Sequence, residues 1–263
     1  TATTTTTTWT STHTTSTHTT STVSTTTTKL SSIFCYMVVR VKSFEIPLAE
    51  VLYEKRASIF SCDAWRVLSN GGPANIRDYK AVVIKQPQVE LGNLSKSGTT
   101  TSSWLNTMIF MEAWELIFDD GEWWNHDWTV KVDPDAVFFP DRLKVRLQPY
   151  YPPGDFNGPA LYVANCDRTW NGAPPELKLF GSLEIFSRNA LGMYRVHKNE
   201  CKKYLPWKGW GEDLFISECM KMMKVGVVNG VDFLGDQRCH YAPCWDQSKV
   251  AFHAFKDIPS WMD

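Results

Sequence analysis

From residue 33 onward the apolar residues of this chain fall into alternating strand-like and helix-like spacings. Ile33 to Val41 is a nearly continuous apolar run, which predicts a buried strand. Pro47 then opens a predicted helix over Leu48–Ala57, since proline suits the first helical turn. Ile59–Ser61 and Trp65–Leu68 read as a second strand with an irregular join. Asn70-Gly71-Gly72-Pro73 breaks the chain, and Ala81–Lys85 reads as a short third strand. Residues 92–103 are polar and rich in Gly, Ser and Thr, the composition of a mobile loop. Ile109, Ala113, Leu116 and Ile117 share one helical face, with Gly121 just beyond the expected helix end.

The second half repeats the alternation. A strand through Thr129–Val132 runs into Asp133-Pro134-Asp135. A short helix or turn is expected over Asp141–Leu147, and a loop over Tyr150–Gly158 around Pro152, Pro153 and Gly154. Ala160–Ala164 and Leu179–Phe186 read as strands. Ser187 is placed to cap a helix over Asn189–His197. A last helix begins after Trp210-Gly211, with Phe215, Cys219, Met222 and Met223 on one side. Val225–Leu234 reads as a final strand, followed by an irregular tail over 235–263 that contains Phe252-His253. This order predicts an α/β fold with a mainly parallel sheet and helices on both faces. No linker divides residues 30–263, which read as one domain.

Residues 1–29 differ in kind. Residues 1–28 hold 19 Thr and four Ser, with Ser-Thr-His-Thr-Thr repeated at 11–15 and 16–20. Such a tract has almost nothing to bury and does not offset its ordering entropy, so a disordered, O-glycosylated stalk or linker is expected. His13 and His18 fit a spacer better than a metal site. Net charge is −1, which leaves no electrostatic footprint for nucleic acid. No apolar run reaches the roughly 18 residues that span a bilayer. The chain begins with Thr, and membrane contact is expected only through an anchor upstream of it.

There are seven cysteines and no Cys-x-x-Cys pair, which argues against zinc. Cys239 and Cys244 flank a short segment that a disulfide could close, and the odd count leaves at least one thiol free. The Asn93-Leu94-Ser95 acceptor and the Thr tract favour the secretory pathway lumen, Golgi or ER, or the extracellular space, where disulfides persist.

Three positions carry candidate chemistry. Asp133 and Asp135 end a strand, where open α/β sheets bind ligands. Two hard oxygen ligands there suit a divalent cation shared with a diphosphate, although Asp-Pro-Asp is also ordinary turn chemistry. Glu212 and Asp213 open the last helix, where acids also complement the helix dipole. His253 lies between Phe252 and Ala254. Most of the 12 tryptophans are expected to fill core or rim, and one or two in a cleft are enough for a sugar acceptor, with Trp207 and Trp210 as the candidate platforms.

In that order the motifs resemble the inverting glycosyltransferases of the fringe and core-1 galactosyltransferase type. Asp127-Trp128-Thr129-Val130-Lys131-Val132-Asp133-Pro134-Asp135 looks like their Asp-x-Asp strand. Leu179 to Arg188 looks like their glycine-rich segment before a helix, and Trp210-Gly211-Glu212-Asp213-Leu214 looks like their Pro-Glu-Asp-Val motif. The chain also resembles uncharacterised algal glycosyltransferase-like proteins with a Thr-rich leader and an Ile-Phe-Ser-Cys-Asp segment, here residues 59–63. Two features depart from the pattern. Pro134 replaces a middle acid, and the glycine-rich segment is reduced to Gly181. For the donor diphosphate, Lys131, Lys85 and Arg188 are the obvious cations.

The resemblance implies a GT-A-like domain and a hexosyltransferase-type enzyme. Its donor would be a nucleotide sugar, with a UDP-sugar expected, and its acceptor a glycan or glycoprotein hydroxyl. Mn2+ or another divalent cation would bind Asp135, Asp133 and His253, with Asp133 reaching the ribose or a water on the metal. Asp213 would be the general base, with Glu212 as the alternative. Lys131, Gly181, Trp207 and Trp210 would bind substrate. Two other readings stay open: a catalytically inactive GT-A-like module that binds glycan or protein, and a stalked display domain whose acids do not converge.

Overall fold

The computed structural model describes residues 29–87, 89–168 and 176–262. The stalk expected over residues 1–29 lies outside these apart from Lys29.

In chain order the elements begin with β1 (Ile33–Arg40), α1 (Glu45–Lys55), β2 (Ala64–Asn70), β3 (Asn75–Ile76), β4 (Tyr79–Lys80), β5 (Val82–Ile84) and α2 (Thr107–Asp120). They continue with β6 (Trp128–Val132), β7 (Ala136–Phe138), α3 (Pro140–Leu147), β8 (Leu161–Ala164), β9 (Leu183–Ser187) and α4 (Arg188–Tyr204). The last are α5 (Glu212–Met222), β10 (Gly226–Asn229), β11 (Leu234–Asp236), β12 (Ala251–His253) and α6 (Ile258–Met262).

Seven strands form the main sheet in the order β10-β8-β9-β6-β1-β2-β5. Pairing is parallel throughout except at β9, which runs antiparallel to β6 and β8. Both faces are covered, which explains the unbroken apolar run of β1. Ile33, Cys35, Met37 and Val39 enter one core, while Phe34, Tyr36 and Val38 enter the other. The second core is filled largely by α2, α4 and α5, where Trp114, Phe118, Tyr194 and Phe215 are buried.

Several expectations shift. Ile59–Ser61 is not strand but a 3₁₀ turn over Ser58–Ser61, with Ile59 and Phe60 turned into the core and Cys62 bridged to Cys35 of β1. The strand expected over Leu179–Phe186 starts only at Leu183, because residues 180–182 leave the sheet to meet Lys131 and α5. The strand expected over Val225–Leu234 divides into β10 and β11. The tail contains β12, which pairs parallel with β11 and antiparallel with β7.

The polar segment 92–103 is folded back as a strap rather than free. Leu91 bridges Trp104, the Gly92 amide donates to the Ser103 carbonyl at 2.7 Å, and the Thr100 amide donates to the Gly209 carbonyl at 3.0 Å. A Cβ on Gly209 would lie 2.3 Å from the Gly98 carbonyl oxygen, so glycine is required for this approach.

Cys35–Cys62, Cys166–Cys239 and Cys201–Cys219 are disulfides. The closure between Cys239 and Cys244 does not form, because Cys239 is buried against Cys166. Cys244 is a free, exposed thiol. Three disulfides fit a secreted or lumenal protein. Among the described residues no helix is long and apolar enough to cross a membrane.

Candidate functional site

The three-stranded sheet brings the Asp-x-Asp turn and the late histidine together. β6 delivers Asp133 at its carboxyl end, and β7 begins at Ala136, immediately after Asp135. In the antiparallel pairing of β12 with β7, His253 stands opposite Ala136, and the Phe255 amide donates to the Asp135 carbonyl at 2.8 Å. One ligand atom each from Asp133, Asp135 and His253 lies within 4.8 Å of the others. His253 Nε2 is 3.4 Å from Asp135 Oδ1, while its Nδ1 meets the buried Asp236 carboxylate.

That second contact fixes which nitrogen is presented, as carboxylates do behind metal-binding imidazoles. Two carboxylates and an imidazole nitrogen, with a carboxylate behind the ring, are a donor set that fits a divalent cation. Burial works against charge on His253, but the carboxylates of Asp135 and Asp236 outweigh it and raise its pKa to about 9. Burial likewise raises Asp135, yet the hydrogen bond and charge of His253 bring it below its ordinary value.

Lys131 lies beneath this turn and is only 1% exposed. It points to the face of β6 opposite Val130 and Val132, and its ammonium collects the surrounding acceptors. Nζ donates to the Gly181 carbonyl at 2.6 Å, to Glu212 Oε1 at 2.9 Å, and pairs with Asp133 Oδ1 at 2.7 Å. Glu184, its register partner on β9, is 3.5 Å away and fully buried. Burial opposes the charge of Lys131, but Asp133 and then Glu212 hold its pKa well above the ordinary value. Burial drives Glu184 well above the usual carboxylate range despite Lys131. Asp133 is also raised, by burial first and by Asp135 and Glu212, against the pull of Lys131.

Glu212 and Asp213 open α5. The Glu212 amide is capped from outside the helix by Asn106 Oδ1 at 3.1 Å. Asp213 Oδ1 accepts from the Leu214 amide at 2.8 Å, and Oδ2 accepts from the Gly181 amide at 3.2 Å. Gly181 therefore serves Lys131 with its carbonyl and Asp213 with its N–H. A Cβ there would sit 3.0 Å from Glu212 Oε1 and 3.3 Å from the Asp213 Cβ, so a side chain would push the acids away. Burial and the charge of Glu212 raise the Asp213 pKa to about 6.

All of these side chains except Lys131 and Glu184 line one cleft of about 760 Å³. Trp207 and Trp210 fall elsewhere. They flank the turn before α5 and are half-buried against the second core, with Trp207 Nε1 donating to the Lys202 carbonyl of α4. The aromatic side chains on the cleft wall include Trp104, Phe180 and Tyr241. Neither Lys85 nor Arg188 lines the cleft. Arg188 is buried at the other end of β6, where its guanidinium meets the His126 carbonyl and Asp127. The cleft-lining cations are instead Arg40, Arg238 and Lys256. Asp236, Trp104, Asn106 and Lys256 are site residues that sequence reasoning missed. Only Asp236 carried a signal: like Asp133 it closes a short strand next to a breaker, here Leu234-Gly235-Asp236.

No protein-family model matches this chain, and no curated protein matches it. Among solved structures the chain is similar to a glycosyltransferase involved in the glycosylation of the major capsid of PBCV-1. The similarity is 9% in sequence identity with a TM-score of 0.45, over 83% of this chain and 92% of that one.

Proposed function

We propose that this chain is a divalent-metal-dependent glycosyltransferase that moves a sugar from a nucleotide-sugar donor, a UDP-sugar first among them, to a hydroxyl of a glycan or glycoprotein with inversion. One observation carries the reading: the Asp133, Asp135 and His253 donor set shares a single cleft with Asp213, a carboxylate tuned near neutrality.

Asp135 and His253 would hold the cation, with Asp133 beside them. A divalent cation there supplies positive charge against which a diphosphate can depart. Asp213 is the better base of the two acids. Glu212 is committed to Lys131, whereas each Asp213 oxygen accepts one backbone N–H and keeps capacity for a further donor. In a single displacement the acceptor oxygen bonds to the anomeric carbon and its proton passes to Asp213. The bond from that carbon to the β-phosphate oxygen breaks, and its electron pair leaves with the diphosphate. Lys131 keeps Glu212 and Asp133 in place beneath the reacting atoms.

Titration calorimetry with uridine diphosphate and Mn2+ tests the reading, together with hydrolysis of a panel of nucleotide sugars. The unmodified protein is expected to bind uridine diphosphate only with metal, and Asp135→Asn to lose that binding. Absence of metal-dependent binding in the unmodified protein at millimolar ligand would overturn it in favour of a cleft that binds glycan without catalysis.

A further inference from the structure

Any diphosphate entering this cleft meets an excess of carboxylates, so the disposition of the cleft's three Lys and Arg side chains matters. Two of them are engaged. Arg40 Nε pairs with Glu45 Oε1 at 3.0 Å, and its guanidinium lies 4.6 Å from the centre of the Trp104 ring. Arg238 lies 4.7 Å from the centre of the Phe180 ring, with its Nε 3.7 Å from Asp236 Oδ1. Lys131 is enclosed by its own acceptors and does not reach the cleft surface. Lys256 differs from all of these. It lines the cleft, is exposed, and makes no hydrogen bond or ion pair among the described residues.

Its position is nevertheless fixed by the backbone. The Phe255 N–H···O=C Asp135 bond at 2.8 Å ties the residue before Lys256 to the Asp-x-Asp turn. The same segment carries His253, three residues earlier, in its strand pairing with Ala136. A flexible ammonium is thus anchored at the edge of the candidate metal site with its hydrogen-bonding capacity unspent. An ammonium is a compact charge well suited to a phosphate oxygen.

We propose that Lys256 binds the β-phosphate of the donor and neutralises the charge that appears there as the sugar leaves. This rests on the glycosyltransferase reading and names a residue for its leaving group. When the bond from the anomeric carbon to the β-phosphate oxygen breaks, the electron pair stays on that oxygen and the phosphate gains one negative charge. A cation facing that oxygen therefore interacts more strongly in the transition state than with the bound donor, so its removal falls on kcat as well as on binding.

The test compares the full chain with Lys256→Gln and Lys256→Arg by calorimetry, using uridine diphosphate and uridine monophosphate with Mn2+ present. The expected result is a loss of about ten- to a hundred-fold in diphosphate affinity for Lys256→Gln, the scale of one charge-assisted hydrogen bond. Monophosphate affinity should hardly change, and Lys256→Arg should recover most of the loss. A steady-state assay should show kcat falling along with the rise in KM. Unchanged diphosphate affinity in Lys256→Gln, or an equal loss for both nucleotides, would overturn the role of Lys256 while leaving the proposed function standing. Failure of the unmodified protein to bind either nucleotide with metal would instead remove the proposed function and this assignment together.

Discussion

Asp236 and His253 are direct neighbours in the parallel pairing of β11 and β12, and the Asp236 carboxylate meets Nδ1 of the imidazole. This contact turns Nε2 toward Asp135, the side on which a cation held by these residues would lie. Asp236→Asn should therefore weaken metal binding although Asp236 is not among the three clustered ligands. Loss of a carboxylate behind a ligating histidine typically costs about 10- to 100-fold in affinity. Titration with Mn2+ would measure it, with circular dichroism confirming the fold. An affinity equal to that of the unmodified protein would mean that the ring is oriented by packing alone.

The buried ammonium of Lys131 makes a contrasting pair of stability predictions. Lys131→Met would leave Asp133 and Glu212 without their shared cation. Breaking a buried pair from one side costs about 3–5 kcal/mol. Glu184→Gln should cost about 1 kcal/mol or less, because burial already favours the uncharged carboxyl and the amide has the same shape. Urea unfolding of the two variants would separate them. Equal losses would show that Glu184 is ionised and shares in holding Lys131.

Gly181→Ala should affect catalysis more than stability. Its Cβ would press on Glu212 Oε1 and the Asp213 Cβ, while Asp133, Asp135 and His253 are not among its nearest neighbours. Uridine diphosphate binding with metal should be retained. Transfer should fall by about a hundred-fold, the effect of misplacing a reacting group by roughly 1 Å. Intact transfer in this variant would show that the α5 acids tolerate displacement and would weaken the assignment of Asp213.

The parts of this molecule legible in its sequence are those where local pattern and tertiary role agree. β1 is buried on both faces and reads as a continuous apolar run. α2 carries its buried face at regular spacing and ends at Gly121, which adopts a positive φ of 80°. The Asp133, Asp135 and His253 convergence was approachable because each acid ends a strand or opens a turn. The aromatic positions were less legible, because tryptophan serves sugar stacking and core packing equally well: Trp207 and Trp210 are half-buried against the second core and do not line the cleft. β12 was missed because three residues, Ala251-Phe252-His253, are too few to show a period. With it went the role of Asp236: its place at the end of a short strand was visible, but its contact with His253 arises only through strand pairing across 17 residues. Lys256 gave no signal because an exposed lysine is ordinary until its neighbours are known.

The pH dependence of transfer tests the chemistry most directly. A general base works only when ionised, and Asp213 has its pKa raised to about 6 by burial and by the charge of Glu212. Above that value the carboxylate is available, and below it the proton is already in place. Turnover should therefore be lost as pH falls through about 6 and reach a plateau above it, until some other group titrates. An unperturbed Asp, with a pKa of about 3.9, would place the same limb roughly two units lower. Asp213→Asn should remove about 10²- to 10⁴-fold of turnover, since an amide cannot take the proton, and should abolish the limb near 6. Glu212→Gln should keep the limb but shift it downward, because the charge that raises Asp213 is gone. A turnover profile flat from about pH 5 to about pH 7 in the unmodified protein would remove Asp213 from the reaction. A limb that persists unchanged in Asp213→Asn would assign the base to another side chain of the cleft.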